Sequence, residues 1–469
     1  MAHTIPLTVN NLLPVVTPAS FPLQTPTTLG QSVGTVQATN NPTSWAITAG
    51  DPAGNFAISA SGLITVTVAG VSNLVNGTAN LTVQATNAGG SGSGAVTINY
   101  SSSNFWGDDG HLGAPAGLPQ FPNGLAGYAV RPPWQVAGVD YAVGPVSGTV
   151  FKAPQTGTPL PAGVTRDTVN HVFAVTQSNV VIDGWDFSQN GGWSIEDTNS
   201  GTTIPSNTIV RNCKWTVGAN NKPPINMGGI DQGTTAVGLT VENCLFDGQG
   251  LSHNIGGKGL IGCGYGGTIR LRYNLFQNAA TDFLDLGADR RGNGRPCILD
   301  IKYNAFVQAA QDPGGHTDWL QTAEVNAPAP PNGKEYGLIT MDFNYTSQTG
   351  AFPGGGGCQG WTLDANLKDN WTDFGGGSFS FNVAIANGTP VGAQSYITRI
   401  APNCVVPGGS WHMNNNYVDP RGLQTTPSQL SNTFRVAQGG GPYSTQTPQE
   451  SVGNFNLVTG LSWNRPFPP

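Results

Sequence analysis

The stretches IVRNCKW (209–215), TVENCLF (240–246), RLRYNLF (270–276) and DIKYNAF (300–306) are four copies of one sequence pattern. Their last residues, Trp215, Phe246, Phe276 and Phe306, follow one another at intervals of 31, 30 and 30 residues. A constant period of roughly 20 to 50 residues is typical of stacked supersecondary units. Within each copy apolar residues alternate with polar ones, which is the period of a β-strand. The repeat therefore predicts successive coils of a parallel β-helix.

If the coils stack, equivalent positions lie above one another at the spacing of neighbouring strands, about 4.8 Å. The alignment predicts an interior apolar column at Val210, Val241, Leu271, Ile301 and Met341. It predicts a turn column at Cys213, Cys244, Asn274 and Asn304, continued after longer gaps by Asn344, Asn370 and Asn416. Asparagine suits such a column because its amide both donates and accepts hydrogen bonds.

Charged residues on the predicted outer face alternate in sign between neighbouring coils. The alignment pairs Glu242 with Arg272, Arg270 with Asp300, and Lys302 with Asp342. Opposite charges on adjacent strands contribute about 0.2–1 kcal/mol per pair. We interpret these pairs as outward-facing stabilisers of the sheet rather than as a binding surface, and they support the same stacking register.

These coils resemble the right-handed parallel β-helix superfamily, which includes pectate lyases, polygalacturonases and many phage tailspikes. The resemblance covers about residues 140 to 435 and concerns architecture rather than catalytic motifs. It implies a right-handed coil and, as in many virion members, a homotrimer. The Asn-Thr-Asp, paired Asp, Gly-His-Gly and Arg-Ile-Lys motifs of polygalacturonases are missing. The acidic calcium cluster of pectate lyases is not evident either, so the resemblance alone assigns no activity.

Composition narrows the class of protein. Charged residues make up 10% of the chain and there are 66 glycines, which favours short strands and tight turns over surface helices. A net charge of −7 and a pI of about 5.2 give no basic footprint for nucleic acid. The six cysteines include no CxxC pair, so no zinc or redox motif is expected, and Cys213 and Cys244 are predicted to be buried. No metal and no cofactor are expected.

Two further features bear on location. The N-terminus, MAHTIPLTVNNLLPVV, lacks the basic and continuous apolar regions of a secretory signal. No apolar stretch reaches about 18 residues, so no membrane span is expected. We therefore expect a virion surface or an extracellular location, the former because virion proteins are released by lysis without export.

The chain divides into four predicted regions. Alternating runs separated by Gly, Pro, Asn and Asp predict a β-sandwich in residues 1–100. The stretch GNFAISASGLITV (54–66) resembles cadherin-like and immunoglobulin-like modules, without the acidic calcium motifs of cadherins. Residues 101–165 are interpreted as a linker and an N-terminal cap, residues 166–435 as the parallel β-helix, and residues 436–469 as a C-terminal cap or tail. The predicted fold class is thus all-β, a sandwich followed by a solenoid.

Chemistry is expected on loops that project from the coils. TDFLDLGADRR (281–291) and HTDWLQ (316–321) align so that Asp282 matches Asp318 and Asp285 matches Gln321. The candidate catalytic residues are Asp282, Asp285, Asp318, His316 and Arg290. The candidate glycan-binding residues are Asp231, Gln321, Trp319 and Arg291.

These residues leave several functions open. Two carboxylates within reach of each other are the acid and base of glycoside hydrolysis. A carboxylate pair with Arg could instead abstract the proton beside a uronate carboxyl group, which is polysaccharide lyase chemistry. The same residues could bind a glycan without cleavage, or simply cap strands and pair at turns.

We expect a virion-borne or extracellular protein that recognises cell-surface or capsular polysaccharide, with or without depolymerase activity. The alternative is a purely structural spike, decoration fibre or adhesive rod. In either case the N-terminal module would bind other virion or surface proteins. Sequence leaves open the glycan, the choice between cleavage and binding, the oligomeric state and the viral or bacterial origin.

Overall fold

The computed structural model of this 469-residue chain contains almost only β-structure. It describes residues 12–24, 30–67, 74, 77–101, 113–155, 157–197, 205–219, 222–227, 237–249, 259–264, 267–280, 282–287, 297–309, 316–323, 336–350, 357–363, 377–388, 397–400, 411–423, 434–436 and 453–462. Within these ranges the single helical element is a 3₁₀ turn at Gln189–Gly191. The chain forms two compact units, residues 1–113 with 133–135, and residues 114–132 with 136–469.

The described part of the first unit contains seven strands in two sheets. They are β1 (Ala19–Gln24), β2 (Ser32–Thr35), β3 (Ser44–Ala49), β4 (Phe56–Ile58), β5 (Leu63–Val66), β6 (Gly77–Asn87) and β7 (Gly90–Ser101). One sheet has the order β1-β7-β6-β3 and the other β2-β5-β4, and only the β1–β7 pair is parallel. Alternation buries Leu81, Val83 and Ala85 of β6, so the predicted strand period is confirmed here.

In the second unit the chain passes repeatedly through three sheets in the order A, B, C, and one pass is termed a cycle. Sheet A contains β10 (Val181–Asp183), β12 (Thr208–Arg211), β15 (Val237–Glu242), β18 (Gly267–Arg272), β21 (Cys297–Lys302), β24 (Tyr336–Asp342), β27 (Gly377–Ser378) and β30 (Trp411–His412). Sheet B contains β13 (Lys214–Thr216), β16 (Leu245–Asp247), β19 (Leu275–Gln277), β22 (Ala305–Val307), β25 (Tyr345–Gln348), β28 (Val383–Ala386), β31 (Tyr417–Asp419) and β33 (Phe455–Asn456). Sheet C contains β8 (Val164–Asp167), β9 (Val172–Val175), β11 (Ser194–Asp197), β14 (Ile225–Met227), β17 (Ile261–Gly264), β20 (Leu284–Gly287), β23 (His316–Ala323), β26 (Gly357–Leu363), β29 (Thr398–Ile400) and β32 (Phe434–Val436).

Strand pairing follows the cycles. Each strand of sheets A and B pairs in parallel with the equivalent strands of the neighbouring cycles. Sheet C is parallel as well, except that β8 and β9 at its first edge are antiparallel. A single cluster of buried apolar side chains draws on all three sheets, so they share one core.

The terminal aromatics of the sequence repeat form a single file in this core. Trp215, Phe246, Phe276 and Phe306 are direct partners in sheet B. Their ring centroids lie 4.8, 4.8 and 4.7 Å apart, with interplanar angles of 8° or less. The predicted register is therefore confirmed. The apolar column is confirmed too, since Val210, Val241, Leu271, Ile301 and Met341 are all buried.

The turn between sheets A and B contains a ladder of side chains. The backbone N–H of Asn274 donates to Asn304 Oδ1 at 2.9 Å, and that of Asn304 donates to Asn344 Oδ1 at 3.1 Å. Each side-chain amide also donates to a main-chain carbonyl of the preceding cycle, as Asn304 Nδ2 does to Leu271 at 2.9 Å. In the first cycles sulfur replaces the amide oxygen, because Cys213 N–H donates to Cys244 Sγ at 3.4 Å. Both cysteines are buried, as predicted.

One member of the predicted ladder was wrong. Asn382, not Asn370, follows Asn344, because the Asn344 N–H donates to Asn382 Oδ1 at 2.9 Å. The ladder then continues through Asn416 and Asn454. Asn370 lies outside the described residues. Asn344 and Asn382 are 38 residues apart, whereas Asn274 and Asn304 are 30 apart, so spacing alone did not single out the right asparagine.

The charged pairs of sheet A have the predicted register but are less exposed than expected. Glu242 is opposite Arg272 and Lys302 is opposite Asp342. Glu242 is fully buried and Arg272 is 2% exposed, so these two residues are not surface groups. Asp300 is shared by three cations, since Arg270, Arg272 and Lys302 all lie within ion-pair distance of it. Breaking such a buried pair costs more than breaking a surface pair.

Residues 114–132 and 136–155, here termed the overlay segment, cross the turns of successive cycles. At one end, the Ala129 N–H donates to the Leu457 carbonyl at 2.9 Å. In the middle, the Gly144 N–H donates to the Tyr273 carbonyl at 2.7 Å. At the other end, the Val146 N–H donates to Asn212 Oδ1 at 2.8 Å. The sequence had not indicated this lengthwise course, which connects the last cycles to the first.

Candidate functional site

The candidate acidic residues lie on two neighbouring strands of sheet C. Asp285 of β20 is the direct partner of Gln321 of β23, so the alignment of these two stretches is confirmed. Just before these positions the chain bends, and Phe283 and Trp319 both turn into the core with ring centroids 5.5 Å apart. Asp282 and Asp318 therefore occupy equivalent places immediately before the bend on consecutive cycles.

Asp282 and Asp318 are linked by a hydrogen bond. The backbone N–H of Asp318 donates to Asp282 Oδ1 at 2.8 Å. Asp318 in turn accepts a hydrogen bond at Oδ1 from the Thr362 hydroxyl of β26, at 3.2 Å. Asp282 is 9% exposed and Asp318 is fully buried, whereas Asp285 is half-buried. The site thus extends over three cycles, from a partly exposed carboxylate to a buried one.

The electrostatics of Asp282 differ from those of an ordinary surface carboxylate. Its pKa is raised to about 7, mainly by burial; the hydrogen bond from the Asp318 backbone lowers the pKa, and the nearby charge of Asp285 raises it. At neutral pH about half of the Asp282 carboxyl groups would therefore carry a proton. A carboxyl group in this state can donate a proton that an ordinary aspartate has already lost.

A buried thiol borders the same acidic residues. Cys358, the first side chain described in β26, pairs with Thr317 of β23. Burial raises the pKa of its thiol well above the usual value, and the charges of Asp318 and Asp282 raise it further. The thiol is thus held in its neutral form and is no nucleophile at neutral pH.

Trp319 is not available to a ligand. It is 1% exposed, and its ring packs against Phe283 and Phe306 in the core. The prediction that it stacks on a sugar was wrong, because the bend places two consecutive residues, Trp319 and Leu320, on the inside and breaks the strand alternation. Trp193 and Trp361, two further tryptophans of the second unit, are buried as well.

Several predicted residues are described in part or not at all. His316 is the first residue of β23, opposite Gly357, and only this backbone position is described. Asp231, Arg290 and Arg291 lie outside the described residues. The structure therefore brings together Asp282, Asp285, Asp318 and Gln321, and leaves the roles of the other four as predictions.

Sequence reasoning missed two residues of this region, Thr362 and Cys358. Both belong to β26, whose pairing with β23 contains register shifts on either side of Asp318. Gly360, opposite Asp318, adopts a φ of 90°, a conformation that glycine tolerates and that lets the strand bulge. A bulge changes the spacing of residues along the strand, so β26 could not be aligned with β20 and β23 from the sequence.

Neither a metal cluster nor a membrane helix is found in the part of the chain that the structure describes. No group of three or more His, Cys, Asp or Glu residues is arranged there to hold a metal ion. No described helix is long and apolar enough to cross a membrane. No protein-family model matches the sequence, and a search of curated proteins finds no significant match. The function must be argued from the site itself.

Proposed function

We propose that sheets A, B and C are the three faces of a right-handed parallel β-helix, and that β1 to β7 form an immunoglobulin-like or cadherin-like β-sandwich. The parallel pairing of each strand with its equivalents one cycle away supports the first part. The two sheets around one apolar cluster support the second. In this proposal the N-terminal module attaches the protein to a virion or cell surface and homotrimers form, as in the tailspikes that the repeat resembles.

We propose further that the protein recognises surface polysaccharide on the outer side of sheet C and hydrolyses it. The observation that carries this proposal is the raised pKa of Asp282 beside two other aspartates on adjacent strands. Displaced pKa values cluster at functional sites because acid–base catalysis needs them. Asp282 would act as the general acid that protonates the leaving-group oxygen.

The remaining residues have complementary roles in this proposal. Asp285, the more exposed carboxylate, would be the second catalytic group, either as nucleophile or as the base that activates water. Gln321, its partner on the next strand, would bind sugar hydroxyls through its amide. We propose hydrolysis because two carboxyl groups, one of which retains its proton in about half of the molecules, are the pair that glycoside hydrolysis uses. Deprotonated Asp282 could also act as the base of a lyase, so the products of the reaction decide between the two.

The direct test is to incubate the full chain with a panel of bacterial capsular and plant acidic polysaccharides. New reducing ends without ultraviolet-absorbing unsaturated products would indicate hydrolysis. Asp282→Asn and Asp285→Asn should each lower the rate at least about 100-fold, while Asp183→Asn on sheet A serves as a matched control. Equal rates in all three variants would contradict the assignment, and unsaturated products would identify a lyase instead.

A structural spike or adhesive rod is the second candidate function. One observation favours it: Asp282 uses an oxygen to hold the Asp318 backbone, and Asp318 is fully buried, so both could simply order the bend before β23. On this alternative no polymer of the panel is cleaved, and none is bound at sheet C. Asp282→Asn would then change only thermal unfolding.

A further inference from the structure

A cavity of about 580 Å³ lies on sheet B, beneath the overlay segment and away from the acidic residues of sheet C. Its sheet side is formed by Val307, Ser347 and Ile385, which are aligned positions on three successive strands. Its opposite wall is formed by residues 121–128 of the overlay segment. The volume is in the range of pockets that hold small ligands, roughly 300–1,000 Å³.

The wall of this cavity is held in place by a network around Asp419. The hydroxyl group of Tyr128 donates a hydrogen bond to Asp419 Oδ2 at 2.6 Å. Arg421 donates from Nε to Asp419 Oδ1 at 2.9 Å and from Nη2 to Oδ2 at 2.6 Å. The guanidinium carbon also lies 5.7 Å from the centre of the Tyr128 ring. The cavity is therefore pre-formed, because Tyr128 of its wall is fixed to a fully buried carboxylate.

The polar groups of the lining are suited to hydroxyl-rich ligands. Asn387 donates from Nδ2 to Asp419 Oδ2 at 3.2 Å, while its Oδ1 is buried and has no hydrogen-bond partner among the described residues. Ser347, Thr349 and Gln308 add hydroxyl and amide groups from neighbouring cycles. The Asn387 oxygen is not exposed to the cavity, so the polar groups within reach of a ligand are those of Thr349, which is exposed, and Gln308, which is half-buried.

Aromatic and charged groups narrow the ligand class further. Phe121 and Tyr128, both half-buried, line the cavity, and rings of this kind pack against the apolar faces of pyranose sugars. Tyr345 also belongs to the lining, but its ring is buried. Arg421 is the single charged residue of the described lining, and its side chain is 55% exposed. Because its Nη1 group takes no part in the hydrogen bonds to Asp419, it can pair with one ligand carboxylate. One cation is too few for a polyphosphate, and the polar groups disfavour an acyl chain.

We propose that this cavity is a binding site for a short acidic saccharide, in which a hexuronate carboxylate pairs with Arg421 and sugar hydroxyls bind Thr349 and Gln308. The site is separate from the one proposed for hydrolysis and does not depend on it. It would hold a polysaccharide to the protein whether or not sheet C cleaves it.

The test is a titration of the full chain with galacturonate di- to tetrasaccharides, followed by calorimetry, with neutral galactose oligomers of the same length in parallel. Wild-type protein should bind the acidic series at least about tenfold more tightly than the neutral one. Ala126→Trp, which fills the cavity from the exposed overlay segment, should weaken binding at least tenfold. Ala116→Trp, an equally exposed alanine of the same segment outside the lining, is the matched control.

Arg421→Gln should remove the preference for the acidic series, with thermal unfolding measured to show that the Asp419 network still folds. The proposal is overturned if neither series binds at millimolar concentration, or if Ala126→Trp binds as well as the control. Equal binding of acidic and neutral oligomers by wild type would refute the role of Arg421. Loss of binding in Asp282→Asn, with Ala126→Trp unaffected, would assign the saccharide to sheet C instead.

Discussion

The turn from sheet A to sheet B and the connection from sheet B to sheet C obey different rules. In five consecutive cycles, from Asn212–Cys213 to Phe343–Asn344, two residues separate the strand of sheet A from that of sheet B. Over the same five cycles the segment before sheet C varies from six residues (278–283) to thirteen (248–260). The first connection carries the ladder of asparagines, and the second contains Asp282 and leads to the strands of Asp285 and Asp318. The connection of constant length therefore belongs to the structural framework, and the connection of variable length belongs to the candidate site.

The physical basis of this difference is the hydrogen bonding of the ladder. Each ladder asparagine bonds to the cycle before and the cycle after, so its neighbours must be in register on both sides. An insertion in this turn would break several buried hydrogen bonds at once. No such ladder is found in the described residues of the connection before sheet C, and the bulge at Asp318 shows that the strands of sheet C tolerate irregular pairing.

The largest expected effect on stability comes from interrupting the file of stacked aromatic rings in sheet B, where strand pairing is regular. Phe276→Ala should lower the free energy of unfolding by about 3–5 kcal/mol, because Phe276 is fully buried between two stacked rings. Chemical denaturation measured by fluorescence would check this. Phe276→Leu, which keeps most of the volume, should cost about 1–2 kcal/mol, and equal losses in both variants would contradict a role for the stacked ring.

The ladder provides the next effect. Asn304→Ala should lower the unfolding free energy by about 2–4 kcal/mol, because it leaves the N–H groups of Asn274 and the carbonyl of Leu271 without their buried partner. The protein itself supplies the control, since cysteine occupies this position at Cys213 and Cys244. Asn304→Cys should therefore cost clearly less than Asn304→Ala, and the reverse order would refute the ladder interpretation.

At sheet C, where strand pairing is irregular, we expect a substitution that raises the free energy of unfolding instead of lowering it. The pKa of Asp282 is raised from its unfolded value, near 4, to about 7, so its contribution to stability is complete below pH 4 and lost as pH rises through 7. The asparagine of Asp282→Asn has no proton to lose, so this variant avoids the loss of stability at high pH. Its amide oxygen still accepts the hydrogen bond from the Asp318 backbone N–H. The variant should be more stable than wild type by about 1–3 kcal/mol at pH 8 and no more stable at pH 4.

Thermal unfolding of wild type and Asp282→Asn between pH 4 and pH 8 would show the pH above which the variant is the more stable protein. A variant that is less stable at pH 8 would show that the carboxylate is favoured in the folded state and would remove the main support for a general acid. Gained stability together with lost hydrolysis is the combination expected of a catalytic group held in an unfavourable environment.

Sheets A and B and the turn between them could be predicted from the sequence, whereas sheet C and the connection before it could be predicted only in part. A period of 30 residues gave the register of Phe246, Phe276 and Phe306, because side chains repeat at the same place in every cycle. Asn382 could have been recognised too, since an aromatic residue precedes the ladder asparagine in Tyr303–Asn304 and again in Phe381–Asn382. These aromatics adopt positive φ and stack on one another, which is a second signal besides spacing.

The acidic site escaped full prediction for a physical reason. Alternation tells inside from outside only while a strand stays regular, and the bend before sheet C places Phe283 and Leu284 inside together. Trp319, at the equivalent position one cycle later, is buried together with Leu320 in the same way. The sequence identified which acidic residues share a neighbourhood, whereas the burial that raises the pKa of Asp282 depends on packing that no local pattern contains.

The smallest expected effect concerns charge pairs on the framework. Arg211 Nε lies 3.0 Å from Asp183 Oδ2, and both side chains are partly exposed to solvent. Arg211→Gln should change the unfolding free energy by less than about 1 kcal/mol, because water and salt screen such a pair. Arg272→Gln, in the same outer column but buried beside Asp300, should cost more. Denaturation at low and high salt separates the two, since added salt should mask the Arg211 effect and leave the Arg272 effect largely intact.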